Sequence, residues 1–412
     1  MNPLDVGVIG LGTAGPAVAL FLARAGHRVT LYERVPKPGP IGAGIMLQPS
    51  GMSVLAALGL LDGVLARGAV IHGLTVENAQ GRTVMQLRYT DLAADLYGLG
   101  LHRGVLFETL LRAVERTPGI ALRLGVDVED LARDQRGRNL IVERGSGARH
   151  GPHDLIVVGD GARSRLRDDA ALGKRVRPYP WGALWFVAKD ERRVFHRRLF
   201  QVVDGTDTLL GLLPTGLGPA HQTPLVSLFW SLRVDRLAAW RAAGLDGWKE
   251  RIQGYVPEAD FILNQIQSPD DVLFSEYRDV VMRRWHTADV VYLGDAAHAT
   301  SPQLGQGCNL ALVDAQVLAE CLAAHDTLAP ALADYTDRRR SHLGYYQLAT
   351  RWLTPFFQSD HGWLGPIRDH LFGLASRWPI AGKLMLAGMA GISRGPFRKT
   401  LPLAHRPPQL KE

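Results

Sequence analysis

Apolar residues fall into three kinds of pattern along this chain. Around residues 6–9, 155–158 and 290–293 they form short runs that stop at Gly or Gly-Asp. Runs of that length with no polar face predict buried strands. After the first and last of them the spacing turns helical: Ala19, Leu22 and Ala23 follow one, and Leu310, Val313, Val317 and Cys321 follow the other. Residues 53–61 predict another helix, and so does the stretch beginning at Leu101, where Leu106, Leu110, Leu111 and Val114 share a face. From about 177 to 277 the pattern becomes one of β-branched and aromatic strands, at 181–187, 198–203, 208–213 and 225–230, broken by Gly, Pro and Asp turns. Residues 71–100 also read as strands, with Gly81-Arg82 as a hairpin turn. Residues 335–342 predict a charged, solvent-facing helix. Residues 346–395 predict apolar helices that cap a cavity, form a dimer face or touch a membrane.

Two strand-to-helix turns carry candidate chemistry. Gly10, Gly12, Thr13, Ala14 and Gly15 lie in a GxGxxG turn, and Glu33 and Arg34 close the next strand. Glycines there let a pyrophosphate approach a helix N-terminus, and an acid about 20 residues on can hold a ribose diol. This fingerprint alone does not separate NAD from FAD. The second turn, residues 290–322, runs from a strand through Gly294-Asp295 and a Pro/Gly loop into a helix at Gly307. Gly305 and Gly307 remove side chains that would keep a planar, electron-rich ligand from the helix-start amides, and Asp295 can accept from sugar hydroxyls.

The run GDAAH, then Pro302, then Gly305-Gln306-Gly307-Cys308-Asn309, resembles the second flavin signature of the class A flavoprotein monooxygenases, the p-hydroxybenzoate hydroxylase family. Three further stretches are similar to that family: Gly42-Ala-Gly44-Ile with Gln48 and Pro49, the arginine helix at Arg103, and Gly159-Asp160-Gly161 followed by Ser164 and Arg167. Ser50 stands where the family more often has Asn. The resemblance spans residues 6–322 and implies an α/β fold: a Rossmann-like FAD-binding domain with an inserted mixed β-sheet substrate domain and C-terminal helices. The expected partition is 1–70, 101–176 and 276–345 for the FAD-binding domain, 71–100 and 177–275 for the substrate domain, and 346–412 for the helical segment.

The implied activity is hydroxylation of a small aromatic substrate by FAD, NAD(P)H and O2 through a flavin C4a-hydroperoxide. The implied cofactor residues are those of the two turns, with Arg103 near the pyrophosphate and Asp160 at the third signature. Pro302, Gly305 and Gly307 are expected beside the reacting ring, where the Pro302 carbonyl can accept from a substrate hydroxyl. Gln48, Trp181, Trp185 and Phe229 are the candidate substrate contacts. His298 is expected to support the motif; no residue identifies itself as a general base. His72, His196 and His221 read as structural or surface histidines. Cys308 invites a covalent flavin link, since a helix N-terminus lowers a thiol pKa, although small-residue packing is the simpler role. The alternative is a flavin-binding protein of the same fold with halogenase, cyclase, reductase-like or non-redox activity. A halogenase would carry a G-W-x-W-x-I-P run, which residues 181–187 only faintly echo.

Bulk properties narrow the partners. A chain of 412 residues, 46% apolar and 21% charged, fits two or three globular domains. Its net charge of +7 is not blocked into tails, which argues against nucleic acid and for an anionic cofactor or substrate. Two cysteines thirteen positions apart on one helix lie on the order of 20 Å apart, too far for a disulfide. With no secretory apolar region and no apolar run of about 18 residues, a cytoplasmic enzyme without a transmembrane segment is expected. A homodimer is compatible with the sequence, and no metal site is expected.

Overall fold

The structure, a computed structural model, describes residues 1–40, 42–167, 172–220 and 222–408. His221 lies outside the described residues. Five parallel strands, β1 (Asp5–Ile9), β2 (Arg28–Glu33), β8 (Ile120–Leu124), β12 (Leu155–Val158) and β18 (Val290–Tyr292), form a sheet in the order β18-β12-β1-β2-β8. Val6, Val8 and every residue of β12 are fully buried, because helices cover both faces of a parallel sheet. The helix α1 (Ala14–Arg24) packs with α9 (Gly307–Ala324) in the same core. Since the strands run in parallel, their C-terminal ends share one edge. Gly10, Glu33, Gly159-Asp160 and Gly294-Asp295 all follow or close a strand on that edge.

Two small sheets flank it: β3 (Gly44–Leu47), β7 (Gly98–His102) and β4 (Ala69–Ile71) form one, and β11 (Arg149–His153), β10 (Asn139–Glu143) and β9 (Val128–Arg133) the other. A seven-stranded mixed sheet stands apart. Its order is β17 (Leu273–Val281), β13 (Arg175–Lys189), β16 (Pro224–Arg233), β15 (Thr208–Leu217), β14 (Arg198–Asp204), β5 (Gly73–Asn78) and β6 (Thr83–Arg88). The strands expected at 71–100 therefore divide: β5 and β6 join this sheet across Gly81, whose φ of 73° makes the expected hairpin turn, while β7 returns to the small sheet. Alternation gives the large sheet two faces. Leu184, Leu210, Leu212, Leu228 and Trp230 pack against α6 (Asp246–Tyr255) and α7 (Asp260–Leu263), beyond the short α5 (Leu237–Ala243). Phe229, Ser227 and Leu213 face the other way.

The helix expected at 53–61 is two: α2 (Pro49–Ala57), opened by Pro49 at its first turn, and α3 (Leu61–Leu65). α4 (Arg103–Arg116) starts at the expected arginine, where Gly104 N–H donates to His102 Nδ1. α8 (Asp295–His298) is one turn, and α10 (Leu328–Phe357), α11 (Leu364–Arg377) and α12 (Pro379–Met389) complete the chain.

Two expectations are corrected. The helix at 335–342 is not solvent-facing: Tyr335, Arg339 and His342 are buried, because one side of α10 lies on α9. The length test for a membrane span is met by α9, whose 18 residues have a mean hydropathy of 1.3. It is a core helix, 67% buried.

Candidate active site

The first glycine-rich turn is shaped by backbone contact. A Cβ on Gly10, at φ 103°, would lie 2.6 Å from the Gly159 carbonyl oxygen, and one on Gly15 would lie 1.9 Å from that of Gly10. Both must be glycine for β1, α1 and β12 to meet. Gly12 differs: a Cβ there meets nothing within 4 Å, and the residue is exposed. Its lack of a side chain serves a visitor rather than the fold. Glu33 accepts from Leu11 N–H and Val35 N–H, both at 2.9 Å, which fixes the carboxylate and leaves it lone pairs for a diol. Thr13 precedes α1 without a side-chain capping bond, Ala14 opens the helix, and Arg34 is exposed beside Glu33. Asp160 borders Gly10. The surrounding protein atoms push its carboxyl above the ordinary value by desolvation, although the residue is exposed, so solvent weakens that effect.

The second turn is held by side chains from distant segments. Asn309 Oδ1 accepts from Gln48 N–H at 2.8 Å, and its Nδ2 donates to Met46 O at 3.0 Å and to Gly305 O at 3.2 Å. One amide thus stitches the start of α9 to β3. Gly305, at φ 60°, supplies the left-handed residue that ends the turn after Pro302, whose carbonyl already accepts from Gly305 N–H. A second lone pair on that oxygen stays available. The Gly307 backbone lies beside Asp295, which is exposed at the sheet edge. Gln306 turns the other way, donating from Nε2 to Met389 O at 2.8 Å, so its side chain belongs to α12.

Behind this turn lies a buried charged network that the sequence reading missed. Asp314 of α9 accepts from Gly294 N–H at 2.8 Å, and it contacts His298 Nε2 at 2.6 Å and Arg339 Nε at 2.7 Å. Burial pushes the Asp314 carboxyl up, but the charges and hydrogen bonds of His298 and Arg339 outweigh it and hold the group at about 2. Arg339 donates to His342 Nδ1, so the neutral ring donates from Nε2 to Gly391 O at 2.9 Å. Burial, then the charge of Arg339, holds His342 down at about 3. His298 is thus a support, as expected. Arg167 is a brace as well, donating to Ala296 O at 2.9 Å and Ala162 O at 2.8 Å.

Cys308 takes the simpler of its two expected roles. Burial pushes its thiol up to about 12, outweighing any stabilisation from the helix terminus, although the residue keeps some exposure. Its Sγ lies 3.7 Å from Met46 O, so it packs as a neutral thiol. Both cysteines are free.

Opposite the second turn stands the outer face of the seven-stranded sheet. Ser227 Oγ accepts from Gly44 N–H at 2.8 Å, which fixes the separation of β16 and β3. Two residues along, on the same face, Phe229 lies on Gly211 and tilts against Trp185 with ring centroids 5.2 Å apart. Trp185 and Phe229 are therefore paired across β13 and β16, and Phe229 packs towards the cluster that holds Phe357 and Phe372, while Met46 and Leu213 form a separate cluster and Met46 borders Gly305. Thr215 adds a hydroxyl on this face that is fully buried and has no hydrogen-bond partner among the described residues. No local signal in the sequence marks Ser227 or Thr215. Trp181 is placed differently, 4% exposed beneath the Arg233 guanidinium. Gln48 is 2% exposed and accepts from the Tyr89 hydroxyl, so it too is internal. Arg103 is exposed, with its side chain against Gly42. A separate cavity of about 700 Å³ lies between β9, β10 and Tyr292, away from both turns.

These residues fit FAD. The open space at Gly12, the anchored Glu33 and the amides opening α9 match a pyrophosphate, a ribose and an electron-rich ring in turn. The FAD binding domain family matches residues 3–344. The 6-methylpretetramide 4-monooxygenase of Streptomyces rimosus is 32% identical over 335 residues, 80% of this chain and 76% of that protein. The kynurenine 3-monooxygenase of Salinispora arenicola is 31% identical over 365 residues, 81% of this chain and 76% of that protein. The structure of PqsL from P. aeruginosa in complex with 2-aminobenzoylacetate superposes with a TM-score of 0.77 at 25% identity, covering 89% of this chain and all of that one. The chain belongs to the FAD-binding domain family and is a class A flavoprotein monooxygenase, an enzyme that uses FAD, NAD(P)H and O2 to hydroxylate a small aromatic molecule.

Proposed function

We propose that one extended FAD lies along the edge where the parallel strands end, and that its ring faces the outer side of the seven-stranded sheet. Gly10, Gly12, Thr13, Ala14 and Gly15 would take the pyrophosphate, with Arg103 and Asp160 beside it. Glu33 would hold the ribose, next to Arg34. Asp295, Pro302, Gly305, the backbone of Gln306, Gly307, Cys308 and Asn309 would border the ring. The observation that carries this reading is the pairing of an open Gly12 with a second helix opening stitched to β3 by Asn309.

Bound FAD, reduced by NAD(P)H, supplies the activation of O2. The chain's own residues bind, orient and exclude water. The positive end of α9, opening at Gly307, stabilises negative charge placed before it. The Asn309 stitch and the Asp314 network keep that end fixed, so little reorganisation follows when charge develops. Trp185 and Phe229 offer an aromatic wall against which a planar substrate stacks. The free lone pair of the Pro302 carbonyl and the unpartnered Thr215 hydroxyl are the polar contacts suited to fixing ring orientation. Ser301 and Gln303, bonded to Thr354 and Gln358 of the α10 end, close the loop against water.

We further assign 1–70, 101–176 and 276–345 to the FAD-binding domain, 71–100 and 177–275 to the substrate domain, and 346–412 to a capping segment. Sheet membership supports the centre of this partition, with β5 and β6 joining β13 to β16, while β17 carries the large sheet past residue 275 and β7 belongs to the small sheet. Two free cysteines support a cytoplasmic setting. Among substrates we favour aromatic amines or phenols bearing a carbonyl side chain, the class shared by kynurenine and 2-aminobenzoylacetate in the names of the relatives. The test is a screen of such compounds for faster NAD(P)H consumption with product analysis. A true substrate accelerates consumption and gains one oxygen atom. Acceleration by none, or consumption without oxygen insertion, contradicts the proposal.

A further inference from the structure

The last three helices turn an apolar face outward. On α10, Leu348 and Trp352 are 68% and 57% exposed; on α11, Ile367, Leu371 and Leu374 are 43%, 46% and 57% exposed; Trp378, between α11 and α12, is 61% exposed. Spacings of four and three residues make each set a single stripe. The Trp352 ring lies 6.3 Å from that of Phe372, which sets the α10 stripe beside α11. These helices are firmly seated on their other sides. Arg368 of α11 is buried and donates to Gly205 O at 2.6 Å and Phe356 O at 2.9 Å, and Tyr346 of α10 donates to Gly388 O at 2.9 Å. The stripes are therefore a finished outer surface rather than a core turned out.

Charge decides what the surface fits. Contrary to the even spread expected, residues 346–412 hold nine Lys and Arg against three Asp and Glu, although Arg351 and Arg406 are paired with Asp279 and Asp95. Asp360 and Asp369 are already paired, with Arg233 and Arg368. Arg377 and Lys383, beside the stripes, are exposed, and no ion pair holds either among the described residues. Self-association through this face would press like charges together. An anionic lipid surface answers every feature at once: apolar side chains at the acyl boundary, tryptophans at headgroup level and cations on lipid phosphates.

We propose that the α10–α12 face docks this enzyme onto an anionic phospholipid bilayer, lying on the membrane rather than crossing it. The same helices close the 301–306 loop, through Thr354, Gln358 and Met389, so docking would hold the cleft close to the lipid.

The test is flotation of the FAD-loaded enzyme with vesicles of phosphatidylcholine alone and of phosphatidylcholine with phosphatidylglycerol. Wild type is expected to float with the anionic vesicles, weakly with the neutral ones, and less as salt rises. Combined Ile367→Ser, Leu371→Ser and Leu374→Ser should reduce partitioning about a hundredfold. Its flavin content and NAD(P)H oxidation should remain those of wild type, which shows that it is folded. Arg377→Gln and Lys383→Gln should each reduce partitioning to anionic vesicles about fivefold and leave neutral vesicles unaffected. Wild type remaining unbound, or floating equally with the triple serine variant, overturns the proposal. So does a dimer in sedimentation that the triple variant dissolves, with no flotation, which would assign the face to a second copy.

Discussion

The two glycine-rich helix openings are similar as sequence and differ in construction. At residues 10–15 the backbone shapes itself: Gly15 meets Gly10, Gly10 meets Gly159, and no distant side chain is needed. At residues 302–309 the shape is imposed from afar, by Asn309 on β3 and by Asp314, which Arg339 and His298 hold in place. A pyrophosphate site asks only for amides and space, which local glycines provide. A site before a ring that changes charge must also resist movement, and buried side-chain networks provide that stiffness.

The comparison breaks first at Asp314. Asp314→Ala leaves Arg339 buried without its partner and should cost about 3–5 kcal/mol. The cost would be measured by urea unfolding at fixed FAD. Loss of less than about 1 kcal/mol would show that the network does not hold the second opening.

Acid probes the same network. His342 is held at about 3 against 6.5, so on falling from pH 6.5 to 5 the unfolded chain takes up a proton that the folded one refuses. Stability should therefore fall with pH, by about 2 kcal/mol over that range. Asp314, held at about 2 against 3.8, adds its own loss only below about pH 4. His342→Gln should flatten the melting temperature between pH 6.5 and 5, and an unchanged slope would place the titration elsewhere.

A smaller effect is expected at Asn309. Asn309→Ala leaves the Gln48 N–H and the Met46 carbonyl unanswered and should cost about 1–2 kcal/mol. Hydrogen exchange at Met46 and Gln48 should rise while residues 10–15 keep their protection. Equal loosening of both openings would mean that they are not separately built.

The same contrast explains what could be read from the chain. The first turn, its helix and Glu33 were legible because the glycine pattern and the acid lie within about 25 residues of each other, although Gly159, which Gly10 meets, comes from far along the chain. The strands of the large sheet were legible because alternation is local. The buried side of residues 335–342 was not, since YTDRRRSH looks solvated until α9 supplies Asp314 as a partner for Arg339. The lowered thiol pKa expected at Cys308 fails for a related reason: burial depends on β3, which the helix terminus does not announce, and the thiol packs as the simpler reading has it. Of the aromatic candidates, Trp185 and Phe229 pair with each other and Trp181 is buried beneath Arg233, a matter of which strand faces which neighbour. Ser227 and Thr215 carry no signature at all.

The claim beneath all of this is that Gly12 is glycine for the sake of a bound phosphate. A Cβ there touches no protein atom within 4 Å, so Gly12→Ala leaves the apoprotein undisturbed. Titration of the apo variant with FAD should show affinity reduced at least tenfold, a loss of about 1.4 kcal/mol, with an unchanged apoprotein melting temperature. FAD binding as tight as that of the parent chain would contradict the account.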